Sequence, residues 1–170
     1  RGAADFLAVD RAPGLAARLD AIIERIAAAA ATDPAGYLNT YTQLKEVIAE
    51  TFHREPEEIC VGNGSIELIR VCCKVILSDN RSYYTETPTF GEYAYSAELF
   101  GGKRAKRMAD ADLIFVCNQN NPDGSLRSRD EMLSILTRVE DRGTILAADE
   151  AFIELADPAQ SLARETSDSL

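Results

Sequence analysis

The stretch Leu113-Ile114-Phe115-Val116-Cys117-Asn118-Gln119-Asn120-Asn121-Pro122-Asp123-Gly124 decides the fold. Its apolar first half reads as a strand. The Asn121-Pro122 pair behind it reads as a turn. Other segments share that form. Ile59-Cys60-Val61 opens into Gly62-Asn63-Gly64-Ser65 and a helix, and Thr144-Ile145-Leu146-Ala147-Ala148 ends in Asp149-Glu150-Ala151-Phe152. In an open α/β sheet, ligands bind in the crevice outside the carboxyl ends of the strands. Here those ends offer an anion cradle, amides and a carboxylate. That set suits a flat, phosphorylated, nitrogen-containing cofactor.

The rest of the chain alternates strand and helix. Leu15, Leu19, Ile22, Ile23 and Ile26 recur at helical spacing, and Pro34-Ala35-Gly36 interrupts the chain. Thr40 with Gln43 resembles a capping box for a helix through about His53. A strand over 58–61 leads into a helix over 65–77. A strand near 81–86 precedes Pro88, and a helix near 90–100 ends at Gly101-Gly102. A strand over 112–117 is followed by a helix opened by Ser128 with Glu131, and the last strand is 144–148. This order predicts an α/β fold with a mostly parallel sheet and right-handed crossovers.

Bulk properties exclude several classes. A chain of 170 residues can bury a real core, and its net charge of −10 argues against nucleic acid as a partner. Lys103, Arg104, Lys106 and Arg107 form a short basic cluster that reads as a solvated loop. No apolar run is long enough to span a membrane, and no signal peptide is expected. Cys60, Cys72, Cys73 and Cys117 each lie in apolar sequence without Cys-x-x-Cys spacing. They read as buried free thiols in a reducing cytoplasm, not metal ligands or disulfides. His53 is the sole histidine, which rules out a histidine-rich metal site; it reads as a helix end.

The Gly-Asn-Gly-Ser turn has a direct physical reading. A helix N-terminus leaves N–H groups unpaired and carries partial positive charge. Gly62 and Gly64 let the backbone approach a phosphate closely, and Ser65 can cap the helix and donate its hydroxyl. The same residues also make an ordinary strand-to-helix turn, so this motif alone leaves both readings open.

Gly62-Asn63-Gly64-Ser65-Ile66-Glu67-Leu68-Ile69, Pro88-Thr89-Phe90-Gly91-Glu92-Tyr93, Asn118 to Gly124 and Asp149-Glu150-Ala151-Phe152 occur in an order that resembles the class I/II aminotransferases, pyridoxal-phosphate enzymes of fold type I. The branch most similar contains histidinol-phosphate aminotransferase and threonine-phosphate decarboxylase. The resemblance covers roughly residues 35 to 163. It implies a three-layer α/β/α large domain with pyridoxal 5'-phosphate as cofactor. Asp149 would then face the pyridine nitrogen and keep it protonated, Asn121 would bond the 3-oxygen, and Phe90 would stack on the ring. Gly64, Ser65 and Ile66 would hold the phosphate. Tyr37 would reach the phosphate of a partner subunit, which implies a homodimer. Each position also has a plainer reading: a solvated carboxylate, an Asn-Pro turn, a core aromatic, a surface tyrosine.

The departures are informative. The family's catalytic lysine lies well after the Asp149 motif, and no lysine follows Asp149 here. The expectation is a helical segment over 1–34 and, over 35–170, part of the cofactor-binding domain without covalent anchor or small domain, inactive as it stands. The connection from Lys103 to Asp112 is shorter than the family's, which carries a further strand. Ile66 stands where histidinol-phosphate aminotransferases usually have Asp, and Phe152 where they usually have Tyr. Both changes look more like threonine-phosphate decarboxylase, a lyase of cobalamin biosynthesis. The expected substrate is a small phosphorylated amino acid, with decarboxylation ahead of amino transfer. A non-catalytic cofactor-binding or interaction domain is the alternative from another class.

Overall fold

The computed structural model describes residues 40–77, 80–140 and 142–165. The chain divides into two compact units, Arg1–Val61 and Gly62–Leu170. The expected helix within residues 1–34 lies outside the described residues.

In the first unit, helix α1 spans Thr40–Phe52. His53 follows it in the left-handed region, φ 57°, and so ends the helix as expected. A 3-10 turn spans Pro56–Glu58, where the Glu58 carboxylate accepts the Glu55 N–H at 2.8 Å. The strand expected over 58–61 does not form. Pro56 and the Glu55–Glu58 capping pair draw Glu58 into the turn. Ile59 is extended, but residues 59–61 join no ladder among the described residues.

The second unit carries a parallel sheet in the order β2-β1-β3-β4. Helix α2 spans Ser65–Ile76, strand β1 Ser82–Thr85, helix α3 Glu92–Leu99 and strand β2 Lys103–Arg104. Strand β3 spans Leu113–Cys117, helix α4 Arg129–Glu140, strand β4 Ile145–Asp149 and helix α5 Ile153–Ala156. Short 3-10 turns occupy Met108–Asp110 and Pro158–Gln160. The basic cluster is thus only partly the expected loop. Lys103 and Arg104 pair in parallel with Ser82 and Tyr83, so the short connection keeps an edge strand. Arg104 also donates to Thr87 Oγ1 at 2.8 Å, and Arg107 pairs with Asp110 at 2.7 Å.

Strand β3 explains the layering. Every residue of Leu113–Cys117 is buried. Side chains alternate across the sheet. Leu113, Phe115 and Cys117 pack with Ile69, Cys73 and Leu77 around α2 and with Tyr93 and Ala97 of α3. Ile114 and Val116 pack on the other face with Met132, Leu136 and Val139 of α4 and with Leu146. Each such large side chain removed from water contributes about 1.5–3 kcal/mol. Helices on both faces give the three-layer α/β/α arrangement.

Local signals set the helix ends. Ser128 and Glu131 form the expected capping box: the Glu131 carboxylate accepts the Ser128 N–H at 2.8 Å, and Ser128 Oγ accepts the Glu131 N–H at 3.3 Å. Gly101, at φ 82°, turns the chain after α3, and the Gly102 N–H reaches back to the Ala97 carbonyl at 2.8 Å. Arg70 of α2 grips Glu92 of α3 at 2.7 Å, which with Ser96 holds the Glu92 carboxyl below the usual range. The described cysteines are all free, yet Cys60 is exposed, not buried as expected, because it sits in the unpaired 59–61 segment. Among the described residues, no helix is long and apolar enough to cross a membrane.

Candidate active site

The carboxyl ends of β3 and β4 are adjacent: Cys117 pairs with Asp149 across the ladder, and the Asn118 N–H donates to the Asp149 carbonyl at 2.8 Å. The parallel register therefore sets the Asp149 motif beside the Asn118–Gly124 loop.

Asp149 is half-buried and held on both oxygens. Tyr93 Oη donates to Oδ2 at 2.7 Å, and the Ala151 N–H donates to Oδ1 at 3.1 Å. Tyr93 has no exposed surface. Its ring stacks on Phe115, with centroids 5.0 Å apart and planes 8° apart, and meets Phe90 edge-on at 5.5 Å. Burial, then hydrogen bonding with Cys117 and Asp149, pushes the Tyr93 hydroxyl far above its ordinary pKa, so it stays a neutral donor. A carboxylate offers about four lone-pair sites. Two donors leave Asp149 able to accept another.

A cavity of about 270 Å³ lies against this carboxylate, lined by Ser65, Leu68, Ile69, Cys72, Phe115, Ala147, Ala148, Asp149 and Glu150. It is just under the small-ligand range of roughly 300–1,000 Å³. Ser65 and Asp149, predicted from separate motifs, thus share one cavity with apolar walls. Gly64 precedes α2 at φ 87°, a conformation that favours glycine. Ser65 does not cap the helix as expected. Gly64 holds the N-cap position, and Ser65 is the first helical residue. The Asn63 N–H is taken by the Glu67 carboxylate instead. The Ser65 hydroxyl makes no hydrogen bond among the described residues, so it remains available at a helix N-terminus. Ile66 follows it and is exposed.

The remaining predicted residues stand further out. Phe90 is not a lining residue; it packs against the core through Tyr93. Asn121 is half-buried on the β3 loop, and no hydrogen bond engages its carboxamide among the described residues. Phe152 is exposed just after Asp149. Tyr37 lies outside the described residues.

Buried Asn118 anchors that loop. Its Nδ2 donates to the Arg127 carbonyl at 3.1 Å, and its Oδ1 accepts the Arg127 N–H at 2.8 Å. Arg127 in turn pairs with Glu86 behind β1 at 2.6 Å. Glu150 anchors the other strand end by accepting the Leu162 N–H at 2.7 Å and the Ser161 hydroxyl. Sequence reasoning missed Tyr93 as a site residue. Its signal was an aromatic in the first turn after Phe90, but only the tertiary pairing turns that hydroxyl towards Asp149.

The model of the family described as "Aminotransferase class I and II" matches residues 7–168. Curated relatives include the histidinol-phosphate aminotransferase of Pyrococcus furiosus, 32% identical over 69% of this chain and 38% of that protein. That of Bacillus velezensis is 30% identical over 65% of this chain and 35% of that protein. The chain therefore spans little more than a third of the length of the curated relatives it matches. Solved structures with the same fold include histidinol-phosphate aminotransferase from Clostridium acetobutylicum, at TM-score 0.70, 22% identity, and coverage of 86% of this chain and 48% of that one. The enzyme from Sinorhizobium meliloti, solved in complex with pyridoxal-5'-phosphate, gives 0.68 and 20% over 82% and 42%. L-threonine-O-3-phosphate decarboxylase from Porphyromonas gingivalis gives 0.59 and 20% over 66% and 38%.

Proposed function

The chain belongs to the aminotransferase class I and II family, whose cofactor is pyridoxal 5'-phosphate, and from that premise we propose that it forms the cofactor-binding part of an enzyme acting on a small phosphorylated amino acid. The observation that carries this reading is the shared cavity. It has a phosphate-type donor set, Ser65 and the α2 N-terminus, and an acceptor, Asp149, among its walls. That donor set fits the cofactor.

Pyridoxal 5'-phosphate, when bound, supplies an electron sink for a bond broken at the substrate's Cα. The Asp149 carboxylate holds a proton on the ring nitrogen. The Tyr93 hydroxyl, donating to Oδ2 at 2.7 Å, keeps that carboxylate oriented. Asn121 donates to the 3-oxygen, and Phe90 supplies an aromatic plane. Backbone N–H groups at Ser65 and Ile66, with the Ser65 hydroxyl, hold the phosphate; the Gly64 N–H already donates to the Gly62 carbonyl at 2.9 Å, so Gly64 serves by the turn it makes at φ 87°. Tyr37 serves the phosphate of a partner copy, which makes the working unit a homodimer. Residues 35–170 are assigned to this part of the large domain. The free thiols among the described residues support a cytoplasmic enzyme.

The preferred reaction is decarboxylation of threonine phosphate, of the kind used in building the cobalamin side chain, and Ile66 and Phe152 support it. Amino transfer from histidinol phosphate is the second reading, supported by relatives carrying that name. The test offers the full-length protein threonine phosphate and, separately, histidinol phosphate with 2-oxoglutarate. CO₂ from the first mixture is the expected result. Glutamate from the second, without CO₂ from the first, moves the protein to the aminotransferase branch. Neither product favours a non-catalytic binding domain.

A further inference from the structure

The Asn118–Gly124 loop contains adjacent asparagines that do different things. Asn121 keeps its carboxamide unengaged among the described residues. Asn120 commits all of its own. Its Oδ1 accepts the Thr89 hydroxyl at 2.7 Å. Its Nδ2 donates to the Pro88 carbonyl at 3.1 Å and to Asp123 Oδ1 at 2.8 Å. Its N–H donates to the Ser125 carbonyl at 2.8 Å, and its carbonyl accepts the Gly124 N–H at 2.8 Å. Asp123 Oδ1 also accepts the Ser125 N–H at 3.0 Å and the Ser125 hydroxyl at 2.9 Å. The Ser125 backbone bond, then those from Asn120 and the Ser125 hydroxyl, hold the Asp123 carboxyl below its ordinary range.

These bonds join two loops far apart in sequence. Thr89 and Pro88 immediately precede Phe90, after β1. Asn120 immediately precedes Asn121, after β3. We infer that Asn120 and Thr89 form a positioning clamp that fixes the Phe90 ring relative to the Asn121 amide, and so sets where a flat heterocycle and its ring oxygen can sit. The inference rests on the cofactor reading above. A side-chain amide with donors and acceptor all used has one orientation. Both loops inherit that orientation because each contributes a partner. Asn118 anchors only the base of its loop at Arg127; the clamp acts at the tip, next to the residue that would touch the ligand. Rigid placement of such groups within about 0.5 Å is what a first contact shell requires of its support.

The test titrates the labelled chain with pyridoxal 5'-phosphate, and separately with inorganic phosphate, following amide shifts by NMR. Variants are Asn120→Ala, Thr89→Val and Thr89→Ser. The wild-type chain should show cofactor-dependent shifts at Ser65, Phe90, Asn121 and Asp149. Thr89→Val and Asn120→Ala should weaken cofactor binding about tenfold, as for loss of roughly 1.4 kcal/mol. Thr89→Ser keeps the hydroxyl and should stay within about twofold of wild type. Inorganic phosphate should shift Gly64 and Ser65 equally in every variant, because the clamp does not touch the α2 N-terminus. Equal cofactor affinity in Thr89→Val and wild type overturns the clamp while leaving the cofactor site standing. Equal loss of the phosphate response would show general damage and also overturns it. Absence of cofactor shifts in the wild type overturns both the clamp and the site.

Discussion

Tyr93→Phe removes one hydroxyl from a residue with no exposed surface and deletes its 2.7 Å bond to Asp149. A hydrogen bond to a charged group contributes about 1.5–3 kcal/mol. Asp149 is half-buried, so water takes over part of the donor's role and the loss should be about 1.5 kcal/mol. For a chain of this size, Tm should fall by about 3–6 °C. The ring stays, so stacking on Phe115 and the edge contact from Phe90 persist. Alkaline pH adds a second signature. Burial comes first among the causes that raise the Tyr93 pKa, and burial followed by Glu98 pushes Tyr83 up to about 12. A tyrosine whose folded pKa is raised stabilises in full below its unfolded value, about 10, and loses that stability as pH rises above it. There the unfolded state binds one proton fewer, so each such tyrosine costs up to about 1.4 kcal/mol per pH unit. Tyr93→Phe removes one of these contributions. Urea unfolding followed by circular dichroism, from about pH 8 to about pH 11, should show the variant less stable at the start and its decline shallower. Parallel declines, or a variant as stable as wild type at about pH 8, would show that this hydroxyl does not hold Asp149.

Asp149→Asn in the full-length enzyme should leave the fold within about 1 kcal/mol, since the amide can still accept from one neighbour. Turnover should drop on the order of 100-fold or more, as for other removed electrostatic groups; unchanged kcat would leave Asp149 a structural role only. Gly102→Ala should destabilise the chain by about 1–3 kcal/mol, because a Cβ there would stand 2.8 Å from Leu77 Cδ1 and 2.9 Å from the Ala97 carbonyl; a melting temperature equal to wild type contradicts this. Pyridoxal 5'-phosphate added to the chain should dialyse away, because no lysine follows Asp149. Borohydride treatment that fixes pyridoxyl to Lys45, Lys74, Lys103 or Lys106 would count against that.

The sequence was most legible where the chain is continuous in chemistry. Leu113–Cys117 is apolar throughout because it is buried on both faces. Ser128 with Glu131 marked the start of α4 because the capping box is a local device. Ile59-Cys60-Val61 misled, because an apolar run carries no record of whether a partner strand lies beside it, and Pro56 had already committed Glu58 to a turn. Lys103-Arg104 was hidden for the converse reason: an edge strand needs only backbone pairing, and its solvated charges read as a loop. Asp149 and Ser65, which line one cavity, could be singled out because each sits at the end of an element. The bond from Tyr93 to Asp149 and the clamp from Thr89 to Asn120 span many residues and leave no spacing signal.

The most direct test of the central claim is a crystal structure of the chain determined with pyridoxal 5'-phosphate. The phosphate is expected against Gly64 and Ser65 at the start of α2 and the ring nitrogen within hydrogen-bond distance of Asp149, with Tyr93 still donating to that carboxylate. Cofactor bound elsewhere, or held by its phosphate with the ring turned away from Asp149, would contradict it.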